Sequence, residues 1–117
     1  MEVKTKQQGI KVVADVLDII GGKWRGPILS YICDKPRRFN ELKSILGRIT
    51  STTLSKELRY LEELRMIVRV ETRTESSSTF EYRMSTHGKT IKTLIQQVVE
   101  WGLQHRKVVL KKEEIIP

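Results

Sequence analysis

Thr52, Thr53, Ser55, Lys56 and Arg59 set three short hydroxyls and two long cations on one brief segment. Short hydroxyls donate to phosphate or base oxygens without blocking close approach, and cations one turn further on reach a phosphate or a guanine edge. That chemistry is recognition of a polyanion rather than bond making. For bond making the sequence offers little: His87 and His105 are the only histidines, with no Ser-His-Asp arrangement, His-Glu-X-X-His spacing or Gly-rich phosphate loop beside them. No catalysis, cofactor or metal is therefore expected. Cys33, the single cysteine, excludes an internal disulfide framework and a thiolate metal cluster within one chain.

An element must hold those groups outward. Leu54, Leu58, Leu61 and Leu64 recur at spacings of four and three, so they share one face of a helix over about 50–65, with Thr50 as its N-cap. Alone, this reads more readily as an ordinary amphipathic helix with a solvated polar face. The residues after it change the reading. Ile67, Val68, Val70 and Thr72 favour a strand, and Phe80, Tyr82 and Met84 alternate with Glu81 and Arg83 as a half-buried strand does. The polar run Glu75–Thr79 between them suits an exposed hairpin tip. Arg69, Arg73 and Arg83 then line a hairpin over about 68–84, able to contact a nucleic-acid backbone or minor groove. Helix then hairpin is the order of a recognition helix and a wing.

Upstream, residues 1–8 are polar and read as frayed. Ile10, Val13, Leu17 and Ile20 mark a first amphipathic helix that Gly21-Gly22 stops, and Val12 and Val16 add a second stripe, wider than one core surface needs. A partner helix would use that width. Pro27 suits the first turn of a second helix, with Ile28, Leu29, Tyr31 and Ile32 as core contacts and Asp34-Lys35-Pro36 as its close. Asn40 can cap a third helix, Glu41 to Leu46, with Leu42, Ile45 and Leu46 inward, and Gly47-Arg48-Ile49 turns into the Thr50 helix, giving a helix-turn-helix. Ser85-Thr86-His87-Gly88 opens a last long helix striped by Ile91, Leu94, Ile95, Val98 and Trp101, widened by Val99 and Leu103. That stripe either covers its own core or meets its copy in a second subunit. The tail, Val108 to Pro117, extends the contact or is unstructured.

The length of 117 residues suits one cored domain over 1–117, with its core at about 10–105. A net charge of +8, from 22 Lys plus Arg against 14 Asp plus Glu, favours polyanions, either nucleic acid or an anionic membrane surface. No apolar run approaches the roughly 18 residues needed to cross a bilayer, and the N-terminus lacks a signal-peptide core. A cytoplasmic location is expected. Lys89, Lys92, Arg106 and Lys107 could meet anionic lipid, but Glu100 lies among them and dimerisation accounts for the stripe. A nonspecific basic DNA-binding role, or a membrane-surface or protein-interaction module, is thus the alternative.

Taken in order, Leu17-Asp18-Ile19-Ile20-Gly21-Gly22-Lys23-Trp24, Ile28-Leu29, Pro36-Arg37-Arg38-Phe39-Asn40-Glu41-Leu42, Ile49-Thr50, Leu54 to Glu62, Val70-Glu71-Thr72, Glu81-Tyr82 and Ser85-Thr86-His87-Gly88 resemble the HxlR-type branch of the MarR-like winged-helix transcriptional regulators. The resemblance spans roughly residues 10–105. It implies a mainly α fold with a small β-hairpin (α+β), a winged helix-turn-helix. It further implies a homodimer built from the first and last helices, through Ile10, Val13, Leu17, Leu94, Ile95, Val98 and Trp101, on a pseudo-palindromic double-stranded DNA operator. Half-site centres would lie about 34 Å apart, one recognition helix in each major groove. The DNA-facing set carried over is Thr52, Thr53, Ser55, Lys56 and Arg59, with Arg37 and Arg38 on phosphates and Arg73 on the wing. Trp24 is assigned a core or anchoring role. Many relatives that sense electrophiles or oxidants carry a first-helix cysteine where this chain has Lys11, so switching by that route is unsupported; Cys33, beside Ile32, is read as structural. The identity of any small-molecule effector is not legible.

Overall fold

The structure, a computed structural model, describes residues 2–111. Its first helix, α1 (Lys6–Ile20), begins earlier than the apolar pattern suggests. Thr5 and Gln8 form a capping box, each side chain accepting the other residue's backbone N–H at 3.2 Å, so the polar segment read as frayed is helical from Lys6. None of the α1 side chains is buried, and Ile10, Val13 and Leu17 lie open to solvent.

Helix α2 (Arg25–Asp34) is the opposite case. Ile28, Leu29 and Ile32 are fully enclosed at the centre of the core. Tyr31, expected among them, is surface-exposed because its ring lies 5.5 Å from the Arg37 guanidinium and covers it. Helix α3 (Phe39–Leu46) starts ahead of the expected Asn40 cap. The Glu41 carboxylate accepts the Arg38 backbone N–H, so Arg38 is the capping position. Leu42 is buried and Leu46 partly so, whereas Ile45 stays on the flank of this two-turn helix and remains exposed. Gly47, at φ +70°, ends it in a conformation that suits glycine.

Helix α4 (Ser51–Glu63) is capped by Thr50, as the sequence pattern predicts, and buries Leu54, Leu58 and Leu61. It stops in a Schellman arrangement, with Met66 N–H on the Leu61 carbonyl at 3.0 Å and Arg65 N–H on that of Glu62 at 2.9 Å. The αL position falls on Arg65, at φ +61°, the one non-glycine residue with positive φ among those described.

Strands β1 (Ile67–Arg73) and β2 (Ser78–Met84) pair antiparallel from Ile67↔Met84 to Arg73↔Ser78, joined by residues 74–77. Tyr82 and Met84 are buried at the base, while Phe80, nearer the tip, is exposed beneath Arg69 at 4.8 Å. Arg37 and Tyr82 exchange both backbone hydrogen bonds, at 3.0 and 2.7 Å, adding a one-residue third strand there. After β2, the Ser85 hydroxyl donates to the Arg65 carbonyl at 2.6 Å and accepts the Gly88 N–H at 2.7 Å. A Cβ on Gly88 would stand 1.9 Å from the Met66 carbonyl oxygen, so only glycine fits.

A single 3₁₀ turn leads into α5 (Ile91–Leu110). Ile91, Leu94 and Ile95 pack on the core, and beyond them Val98, Val99, Trp101 and Leu103 are exposed. The helix thus carries the expected tail through Leu110; residues 112–117 lie outside the described residues. The radius of gyration, 17.5 Å, exceeds the roughly 13 Å of a compact hundred-residue domain. No helix among the described residues is long and apolar enough to cross a membrane.

Candidate nucleic-acid interface

Three buried leucines fix the roll of α4, and that roll decides which side chains face outward. Thr52, Ser55, Lys56 and Arg59 are exposed and, with Ser51 and Phe39, line one open concavity. Lys56 and Arg59 have no hydrogen bond or ion pair among the described residues. Thr53 is half-buried and its hydroxyl accepts that of Thr50 at 2.9 Å, inside the cap.

A second concavity, lined by Arg38, Phe39, Asn40, Glu41, Thr79, Phe80 and Glu81, lies between the start of α3 and the hairpin. Phe39 belongs to both and so joins helix face to wing. The sequence pattern gives no role to Phe39 or Ser51; Ser51 extends the hydroxyl run at 50–53 and could have been found from it.

The expected phosphate contact at Arg37 is corrected by the geometry. Its side chain is only 9% exposed, and it donates to Asp34 at 2.9 Å, to Glu41 at 3.4 Å and to the Tyr31 carbonyl at 3.0 Å. Two acids and a carbonyl, three to six residues away along the chain, capture the guanidinium before solvent or a ligand can. Arg38, its neighbour, points into the second concavity and is exposed.

On the hairpin, Arg73 is open to solvent and paired with Glu71 at 2.9 Å; Arg83 pairs with Glu81 at 2.9 Å. The Ser78 hydroxyl, then Arg73, hold the Glu71 carboxyl below its usual pKa. Exposed pairs of this kind contribute little and exchange readily for a phosphate.

Behind the α4 face lies a closed polar ring. Arg25 donates from Nε to Glu57 at 2.8 Å and from NH1 to the Asp18 carbonyl at 2.7 Å and to its carboxylate at 3.3 Å. The same guanidinium lies 4.2 Å from the Tyr60 ring centroid, and the Tyr60 hydroxyl donates to Asp18. That hydrogen bond, followed by burial, raises the Tyr60 pKa. Desolvation of Arg25 alone would lower its pKa, but the Glu57 hydrogen bond together with the charges of Glu57, Asp18 and Tyr60 raises it.

His87 and His105 are exposed, the latter stacked on Trp101 with centroids 5.1 Å apart. No group of three His, Cys, Asp or Glu among the described residues could hold a metal ion. Trp24 packs against the core. Cys33 packs there too, and it also lines a cavity of about 440 Å³ beside Lys35, Arg83, Lys89 and Lys92.

A family model, HxlR-like helix-turn-helix, matches residues 19–109. The uncharacterised HTH-type transcriptional regulator YdeP of Bacillus subtilis (strain 168) is 35% identical over 101 residues, covering 86% of this chain and 78% of its own. A second from the same organism, YybR, is 36% identical over 93 residues, covering 80% and 74%. Among solved structures, the redox regulator HypR in its reduced form superposes with a TM-score of 0.77 at 33% identity, covering 85% of this chain and 97% of that one. With this match over most of its length and with the helix-turn-helix and hairpin in place, the chain belongs to the HxlR-like helix-turn-helix family of transcriptional regulators.

Proposed function

We propose that this DNA-binding regulator acts as a homodimer, pairing through α1 and α5 and reading a pseudo-palindromic operator with one α4 in each of two successive major grooves. The observation that carries the reading is the contrast between the cations. Arg25, Arg37, Arg73 and Arg83 each pair with an acid, whereas Lys56 and Arg59 stand unpaired among the described residues on the outward face of α4. Thr52 and Ser55 beside them give short donors for base edges or phosphates. Arg38, at the start of α3, and Arg73, on the hairpin, add phosphate contacts beyond that face; Thr53 supports the cap and contributes at most its remaining hydroxyl proton.

The exposed stripes support the pairing. Ile10, Val13 and Leu17 on α1 and Val98 and Trp101 on α5 are each half or more exposed, apart from Val98 at 49%. Leu94 and Ile95 split their surface between the chain's own core and that stripe. Apolar area on this scale is ordinarily covered by a partner.

Fluorescence anisotropy tests the reading, with duplexes from neighbouring promoters and a scrambled duplex across a salt series. A preference of about a thousandfold for one duplex, with affinity falling as salt rises, is the expected result. Weak and equal binding to every duplex would point instead to nonspecific DNA coating. Liposome binding that survives competing duplex would favour the membrane-surface alternative.

A further inference from the structure

We propose that Arg25 is a positioning residue: it fixes α4 relative to α1 and thereby sets the half-site spacing that the protein accepts. This inference rests on the dimer reading.

Packing alone ties α1 weakly to the body. The helix buries no residue, and only Ile19 and Ile20, at its C-terminal end, reach the core. The polar ring supplies the missing connection at that same end. Asp18 belongs to α1, Arg25 opens α2, and Glu57 and Tyr60 lie one turn apart on α4. One guanidinium spans all three helices because its Nε, its NH1 and its flat face point to different partners. A lysine ammonium has no such fork and no flat face. The Tyr60 hydroxyl on Asp18 closes the circuit, so α4 is held from two of its own positions rather than one.

One arm of the ring is shielded, while the Asp18 carboxylate on the other is 57% exposed. The Arg25 and Glu57 side chains are 24% and 18% exposed, so their pair is screened less than those on the hairpin. Glu57 and Tyr60 directly follow Lys56 and Arg59 in sequence. A shift of the ring therefore moves the two unpaired cations with it.

In a dimer joined through α1 and α5, two paths link one recognition face to the other: the core shared by α4 and α5, and, for the α1 half of the interface, this ring on each side. Inserting one base pair between half-sites displaces them by about 3.4 Å and rotates one by about a tenth of a turn. A rigid ring rejects that change, and a loosened ring tolerates it.

The test begins with an operator selected by the wild-type protein from a random duplex library, then remade with one base pair added or removed at its centre. Tyr60→Phe deletes one hydroxyl and keeps the ring beneath Arg25; Asp18→Asn keeps an acceptor and removes the charge; Arg25→Lys keeps the charge and loses the fork. Wild type should prefer its selected spacing at least tenfold. All three variants should fall below threefold while binding scrambled duplex within twofold of wild type and remaining dimeric by sedimentation. Retention of the tenfold preference, rescue by Arg25→Lys, or parallel loss on scrambled duplex would each overturn the positioning role. A wild-type protein that sediments as a monomer on and off DNA would instead overturn the dimer reading, and this inference with it.

Discussion

Thr53 is tied to Thr50 twice: its backbone N–H donates to the Thr50 hydroxyl at 3.1 Å, and its own hydroxyl accepts the Thr50 O–H at 2.9 Å. The hydroxyl run at the front of α4 thus divides into a pair that builds the helix start and a remainder that faces outward. Thr50→Ala should cost about 0.5–2 kcal/mol of stability, and Thr50→Ser close to nothing, by urea denaturation. Equal stability of the alanine variant would show that the helix start does not depend on the cap.

In the proposed reading, Arg59 and Arg73 separate base reading from phosphate binding. Arg59→Ala should cost about 1–3 kcal/mol on the operator and relax preference at one base position. Arg73→Ala should weaken operator and random duplex alike and reduce the salt slope by about 0.9 for each phosphate that the arginine neutralises. A uniform deficit for Arg59→Ala would make it a phosphate contact.

For Arg37 the expected deficit is in folding. Arg37→Met leaves Asp34 and Glu41 able to return to water, since their side chains are 71% and 39% exposed, so the loss should be about 1–3 kcal/mol, from the hydrogen bonds to this charge. The folded variant should bind duplex with the wild-type salt slope; a shallower slope would return Arg37 to the DNA surface.

Arg65 offers a substitution in the stabilising direction. A non-glycine residue in αL costs about 1–2 kcal/mol, and glycine gives back about 0.4–1 through the freer unfolded chain. Arg65→Gly should therefore raise stability by about 0.5–1 kcal/mol in denaturant titration, with α4 otherwise unchanged.

The exposed stripes give the oligomer test. Leu17→Glu or Val98→Glu places a charge where an apolar partner is proposed, while the core that holds the monomer is untouched. Sedimentation should show monomers with native helix content and much weaker operator binding. A variant that stays dimeric would move the interface elsewhere.

Periodicity made much of this legible. Three leucines in α4 with Leu64 just past its end, the alternation in β2 and the stripe on α5 follow from spacings of two, three and four, the Thr50 cap follows from its side chain, and the family resemblance names the assembly those spacings suit. The features that escaped were decided by distant or competing partners. Arg37 looks like a free cation beside Arg38 until Asp34, Glu41 and the Tyr31 carbonyl converge on it. Residues 1–8 look frayed because the Thr5–Gln8 capping box uses polar side chains, which an apolar pattern does not register. The ring of Asp18, Arg25, Glu57 and Tyr60 joins positions up to 42 apart in sequence, and no local pattern announces it.

The Arg37–Tyr82 backbone exchange clamps the hairpin at its root, leaving the outer half from Thr72 and Thr79 to the tip as a free cantilever. A wing laid on DNA as proposed would then give mainly at its last few residues, as a short spring on a fixed mount. Such a spring would follow local variations in groove width without disturbing the helix proposed to sit beside it.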